Sequence, residues 1–160
     1  MYACELWKDL TPELHHELLE AVYLNNKKLY RNIVGQMAKN LRSRPERLLE
    51  TPRTERHLLF QPILALPQFH LITQNILMDW LRHTQTPLLV HFLDALGIPH
   101  DGTGCTDTFP SQLDDSKLPA AVESLYASFP KDHVTLYLKT FDAVTGVDCP
   151  KLQELVTAKN

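Results

Sequence analysis

Long apolar runs, cysteine pairs and signal-peptide features are missing from this 160-residue chain. Its richest apolar run, Leu88 to Leu96, is interrupted by His91 and Asp94, whereas a membrane span needs roughly 20 predominantly apolar residues. The first residues lack the basic and apolar regions of a secretory signal. The three cysteines form no C-x-x-C pair, which argues against a disulfide framework or a zinc knuckle. These absences predict a cytoplasmic protein with no membrane partner.

Motifs of the common enzyme classes are absent as well. The chain contains no G-x-x-x-x-G-K, no G-x-G-x-x-G after a strand, no G-x-S-x-G and no H-E-x-x-H. These motifs position phosphates, nucleophiles or zinc, so their absence disfavours the nucleotide-binding and hydrolase classes. A non-enzymatic role is therefore favoured over catalysis, and the sequence identifies no cofactor.

The strict alternation of apolar and polar residues that marks a half-buried strand is also missing. Apolar residues instead recur every three or four positions, and Thr-Pro pairs stand where helices would begin, at Thr11, Thr51 and Thr86. The pattern predicts an all-α fold, an irregular bundle of about seven or eight mostly antiparallel helices. We expect one compact domain over residues 1–160.

Glycine is scarce, and three of the five glycines lie between Gly97 and Gly104. Gly97 is the expected end of the helix that begins at Pro87, because glycine readily adopts positive φ. The loop carries an imidazole, carboxylates and a thiol, so two hypotheses attach to it: catalysis or metal binding by His100, Asp101 and Cys105, with Asp107 as a further metal ligand. The alternative is a surface turn closed by hydrogen bonds that its aspartates, Asp101 and Asp107, accept.

Histidine is abundant, with eight copies. Glu13-x-x-His16 has the spacing used in di-iron helix bundles, but those sites need a second Glu-x-x-His, and the chain has none. Glu13 is more simply explained as an acid in a first helical turn, where the helix dipole favours negative charge. The sequence therefore predicts no di-iron centre.

Charge is unevenly distributed along the chain. Residues 27–56 carry nine bases and three acids, although the net charge of the protein is −3. One hypothesis is a nucleic-acid-associated protein that contacts phosphates through Lys28, Arg31, Lys39 and Arg42. Only one aromatic residue lies in the segment, so base stacking is not favoured.

The favoured interpretation is a helical binding or adaptor module for protein–protein interaction. Its partner would be another protein or a second copy of the chain. Trp7 and the last helix are the expected docking elements, because the sequence predicts that both are amphipathic and exposed. The metal-dependent or thiol enzyme and the nucleic-acid-associated protein stay open as alternatives.

Overall fold

The computed structural model describes residues 2–107, 109–145 and 149–159. Within these ranges it contains ten α-helices, one short 3-10 helix at Pro67–Phe69 and no β-strand, which confirms the predicted all-α fold. None of the described helices is both long and apolar enough to cross a membrane. The helices are α1 (Ala3–Lys8), α2 (Pro12–Asn25), α3 (Lys27–Asn40), α4 (Pro45–Glu50), α5 (Arg53–Leu64), α6 (His70–Thr84), α7 (Thr86–Leu96), α8 (Leu118–Ser128), α9 (Lys131–Thr145) and α10 (Pro150–Lys159).

Helices α1 and α4 extend the predicted set. Each has six residues, which is less than two turns and too short for apolar spacing to indicate a helix. The other eight helices correspond to the predicted segments.

The chain divides into two compact units, which we describe separately. Unit 1 extends to His83 and unit 2 begins at Thr84. The expectation of one domain over residues 1–160 stays a prediction, because this division does not decide whether the units unfold together.

The core of unit 1 forms where α2 packs on α3 and α5. Thr11 caps α2 by accepting a hydrogen bond from the Leu14 N–H at 3.3 Å. Two tryptophans, Trp7 and Trp80, are fully buried in this unit. The expectation that Trp7 is an exposed docking element is therefore wrong: its Nε1 donates to the Gln61 carbonyl at 3.0 Å, and its ring lies 4.5 Å from that of His15.

From the sequence alone, Pro62 predicts that the helix beginning at Arg53 ends at Gln61. The helix continues through this proline to Leu64. Proline removes the N–H that would bond the carbonyl of residue 58, and Leu58 is exposed to solvent. Water can satisfy that carbonyl, so the last turn persists.

Unit 2 is built on α7, which packs against α8, while α9 packs against α10. The fully buried Phe92 meets the rings of Tyr137 and Phe141 edge-on at centroid distances of 5.5 Å, a favourable aromatic geometry. Gly97 ends α7 in the left-handed region with φ of 69°, as predicted. The glycine-rich loop follows directly.

Candidate metal centre

Three potential metal ligands converge in unit 1, on α2 and α5. His16 and Glu20 lie four residues apart on α2, so one helical turn places both side chains on the same face. His57 lies on α5 and is fully buried. One nitrogen or oxygen donor from each of the three residues lies within 4.8 Å of the others, and the described residues contain no other such group of three.

The two imidazoles are in direct contact. His16 Nδ1 lies 3.2 Å from His57 Nδ1, and the ring centroids are 5.2 Å apart. In the metal-free protein one of these nitrogens must carry a proton and donate it to the other. Without that proton, both Nδ1 atoms can offer a lone pair to a single metal ion.

Tyr30 holds His57 from its other side. The Tyr30 hydroxyl is 3.0 Å from His57 Nε2. Tyr30 is buried on α3, and burial raises the pKa of its phenol despite the nearby Arg56 and Arg53 charges, which lower it. A neutral phenol can accept the Nε2–H of His57 and fix the tautomer whose Nδ1 lone pair is free.

Glu20 has one oxygen engaged and one without a partner. Its Oε1 accepts from Arg53 Nη2 at 2.8 Å. Its Oε2 is buried and has no hydrogen-bond partner among the described residues. An unpaired buried carboxylate oxygen is costly, so this atom is a natural third ligand beside the two histidines.

Burial and nearby positive charge keep His57 neutral. Desolvation, together with the smaller effects of the His16, Arg56 and Arg53 charges, lowers the pKa of His57 from 6.5 to about 4. The guanidinium carbon of Arg56 lies 5.6 Å from the centre of the Tyr30 ring. Since a ligating imidazole must be unprotonated, His57 needs no proton release before binding at neutral pH.

The arrangement offers two imidazole nitrogens and one carboxylate oxygen. This donor set suits Zn²⁺ and the neighbouring divalent transition metals, whereas Mg²⁺ and Ca²⁺ prefer oxygen ligands. Three protein ligands leave at least one coordination position for water or a small ligand. The same cluster without metal is a buried polar network that links three helices.

The residues predicted in the loop lie together but do not form a comparable ligand group. His100, Asp101, Cys105 and Asp107 line one cavity of about 340 Å³ with Pro99 and Thr106. Both nitrogens of His100 are used locally: Nε2 bonds Asp94 Oδ1 at 2.8 Å, and Nδ1 accepts from the Gly102 N–H at 3.0 Å.

The Asp101 carboxylate is engaged within the loop. Asp101 Oδ1 accepts from the Thr103 N–H at 2.8 Å, and the hydrogen bonds from Thr103 lower the pKa of the carboxyl. These bonds form the surface turn that was the alternative interpretation. Cys105 is an exposed free thiol, and catalysis or metal binding by the loop stays a prediction.

The predicted nucleic-acid contacts are all solvent-exposed. Lys28, Arg31 and Lys39 lie on α3, and Arg42 follows it with a positive φ of 50°. They lie on the outer side of the helix, away from its buried residues.

Sequence reasoning singled out His16 but paired it with Glu13. It missed Glu20 and His57. Two signals were available: His16-x-x-x-Glu20 spans one helical turn, and His57 occupies an apolar-face position of α5 beside Phe60. Neither signal identifies a ligand alone, because the two histidines are 41 positions apart in the sequence and only the fold brings them together. No known family model, no curated protein and no solved structure matches the chain.

Proposed function

We propose that unit 1 is a helical module that binds one divalent transition metal ion through His16, Glu20 and His57. The observation that carries the proposal is the 3.2 Å separation of the two Nδ1 atoms next to an unpartnered carboxylate oxygen. Two nitrogens that each lie about 2.1 Å from zinc at a tetrahedral angle are about 3.4 Å apart. The two Nδ1 atoms thus already stand at nearly the spacing that the ion requires.

The carboxylate supplies the third bond. All donors lie within 4.8 Å of one another, and rotation about the Glu20 side chain brings its free oxygen toward the imidazoles. The ion pair between Glu20 Oε1 and Arg53 supports this carboxylate from behind. Such supporting contacts around ligands commonly raise metal affinity by about 10–100-fold.

Tyr30 supports His57 as Arg53 supports Glu20. Metal-ligating histidines usually donate their second N–H to an oxygen atom, and the Tyr30 hydroxyl is 3.0 Å from that nitrogen. Tyr30→Phe should therefore weaken metal binding by about 10–100-fold without removing a ligand.

The test is isothermal titration of EDTA-treated protein with ZnCl₂ at pH 7.5. We expect one strong site per chain in the native protein. His16→Ala should lower its affinity by more than about 100-fold, since a lost ligand should cost more than a lost supporting contact. His83→Ala is the matched control, because His83 is half exposed and pairs with Asp79 at 3.6 Å. Absence of a strong site, or equal losses in the two variants, contradicts the proposal.

A second function, protein–protein interaction, is supported by the distribution of exposed apolar side chains. Every large exposed hydrophobic residue found in the described chain belongs to unit 1, and two of them, Leu58 and Leu59, are adjacent on α5 with 55% and 45% exposure. Exposed apolar surface favours association. The complete set is Tyr2, Leu24, Leu41, Leu49, Leu58, Leu59, Leu66 and Leu71.

A second copy of the chain is the simplest partner. Sedimentation velocity should show a concentration-dependent dimer that Leu58→Ser/Leu59→Ser abolishes, whereas Leu24→Ser on α2 leaves it intact. A weak dimer has a Kd of roughly 100 µM. If the native protein stays monomeric at that concentration, self-association is excluded. A cytoplasmic location belongs to this proposal, because Cys4 and Cys105 are free thiols, as in reducing compartments.

A further inference from the structure

Positive charge is concentrated in one uninterrupted part of unit 1. Between Glu20 and Glu46 the sequence contains no acidic residue and six basic ones. The chain as a whole has a net charge of −3. This segment is therefore a local positive surface on an otherwise acidic protein.

Helix α3 presents these charges on one side. At 100° per residue, Lys28, Arg31 and Lys39 fall within an arc of about 80°. The buried side chains of α3, among them Tyr30 and Met37, lie on the opposite side. We call Lys28, Arg31, Lys39 and Arg42 the basic face.

The protein does not neutralise the basic face. All four side chains are exposed, and within the described residues none of them takes part in an ion pair or a side-chain hydrogen bond. The acidic segments of the chain therefore do not take up these charges. Unpaired cations on a rigid helix produce a positive potential that attracts a polyanion.

We infer that the basic face binds the phosphate backbone of double-stranded nucleic acid without reading its sequence. Lys28 and Lys39 are separated by 11 residues, or about 16 Å along the helix axis. A duplex carries one negative charge per about 1.7 Å of its axis, so a helix segment of this length lies near several phosphates. The helix can thus contact several phosphates at once.

The side chains around the basic face favour a duplex over a single strand or a membrane. Single strands are held by stacking on aromatic rings, but Tyr30, the only aromatic residue of α3, is buried. Membrane-surface helices insert an apolar face, and the apolar face of α3 is packed in the core of unit 1. Phosphate contacts alone fit a duplex.

The test is fluorescence anisotropy of a labelled 20-base-pair DNA of arbitrary sequence, titrated with the full chain in EDTA. The native protein should bind at 20 mM KCl, and four phosphate contacts predict a slope of log K against log salt of about −3.6. Lys28→Gln and Lys39→Gln should each reduce the slope by about 1. Lys131→Gln, an exposed lysine at the start of α9, is the matched control and should leave it unchanged.

Two further titrations distinguish duplex binding from binding of single strands or membranes. A single-stranded DNA of equal length and vesicles with 30% phosphatidylserine are titrated under the same conditions. Duplex binding that is stronger than both and is weakened by the basic-face variants supports the inference. Absent duplex binding, binding that the variants leave unchanged, or stronger binding of either alternative ligand overturns it. EDTA removes the metal, so failure here leaves the metal proposal untouched.

Discussion

Acidification should destabilise unit 1 through His57. The pKa of this buried imidazole is lowered from 6.5 to about 4 in the folded protein, mainly by desolvation. Below pH 6.5 the unfolded chain binds a proton at His57 that the folded chain does not bind, so stability falls as pH decreases. The stabilisation is complete above pH 6.5 and is lost as the pH falls toward about 4.

The magnitude follows from the interval between the two pKa values. Each pH unit corresponds to about 1.4 kcal/mol, so His57 should account for about 3 kcal/mol of lost stability between pH 6.5 and about 4. The charged groups that face it are His16 and Glu20 on α2, Arg53 and Arg56 on α5, and the phenol of Tyr30 on α3. These groups are present in both proteins that the assay compares.

The assay is urea unfolding followed by tryptophan fluorescence, with EDTA present. Both tryptophans of the chain, Trp7 and Trp80, are buried in unit 1, so the signal reports this unit alone. The comparison is with His57→Gln, whose side chain is neutral at every pH. His15 also has a pKa lowered by burial, but it titrates in both proteins and cancels in the difference.

The native protein should lose about 3 kcal/mol more than His57→Gln between pH 7 and pH 4. Parallel pH profiles for the two proteins would refute the reasoning, because they would mean that His57 is protonated as easily in the fold as in the unfolded chain. A native profile steeper than the variant's only above pH 6.5 would contradict the sign.

Two further predictions concern unit 2 and are measured by far-UV circular dichroism. Gly104 has a φ of 81°, and a Cβ added there would lie 2.6 Å from Leu89 Cβ, whereas Gly102 has a φ of 87° and a Cβ added there would have nothing within 4 Å. Gly102→Ala should reduce the free energy of unfolding by about 1–2 kcal/mol through backbone strain, and Gly104→Ala by about 1–3 kcal/mol more through overpacking. Equal melting temperatures for the two variants would disprove the close approach. Phe92→Ala should reduce the free energy of unfolding by about 3–5 kcal/mol, since the ring is fully buried between two aromatic neighbours; a loss below 1 kcal/mol, within the range of surface substitutions, would contradict its place in the core.

Local signals predicted most of the fold. Thr11 and Pro12 fixed the start of α2, and Gly97 fixed the end of α7, because caps and positive φ depend on only a few neighbouring residues. Trp7 was misjudged because its burial depends on contacts with α2 and α5, far along the chain. Apolar spacing shows which residues can face a core, but a six-residue helix carries too few of them to show that it does.

The site was harder to predict for the same physical reason. Glycine spacing drew attention to the loop, yet His100 is held by Asp94 and by the Gly102 N–H within its own segment. The ligand group depends instead on the packing of α2 against α5, which brings His16 to His57. No local pattern encodes that contact.

The central claim is that His16, Glu20 and His57 hold a metal ion. The most direct measurement is anomalous X-ray diffraction at the zinc absorption edge, from crystals of zinc-loaded protein. One strong anomalous peak should lie about 2.0–2.2 Å from the Nδ1 atoms of both histidines and from a Glu20 carboxylate oxygen. No peak at this position, or a peak only in the cavity lined by His100 and Cys105, would contradict metal binding by these three residues.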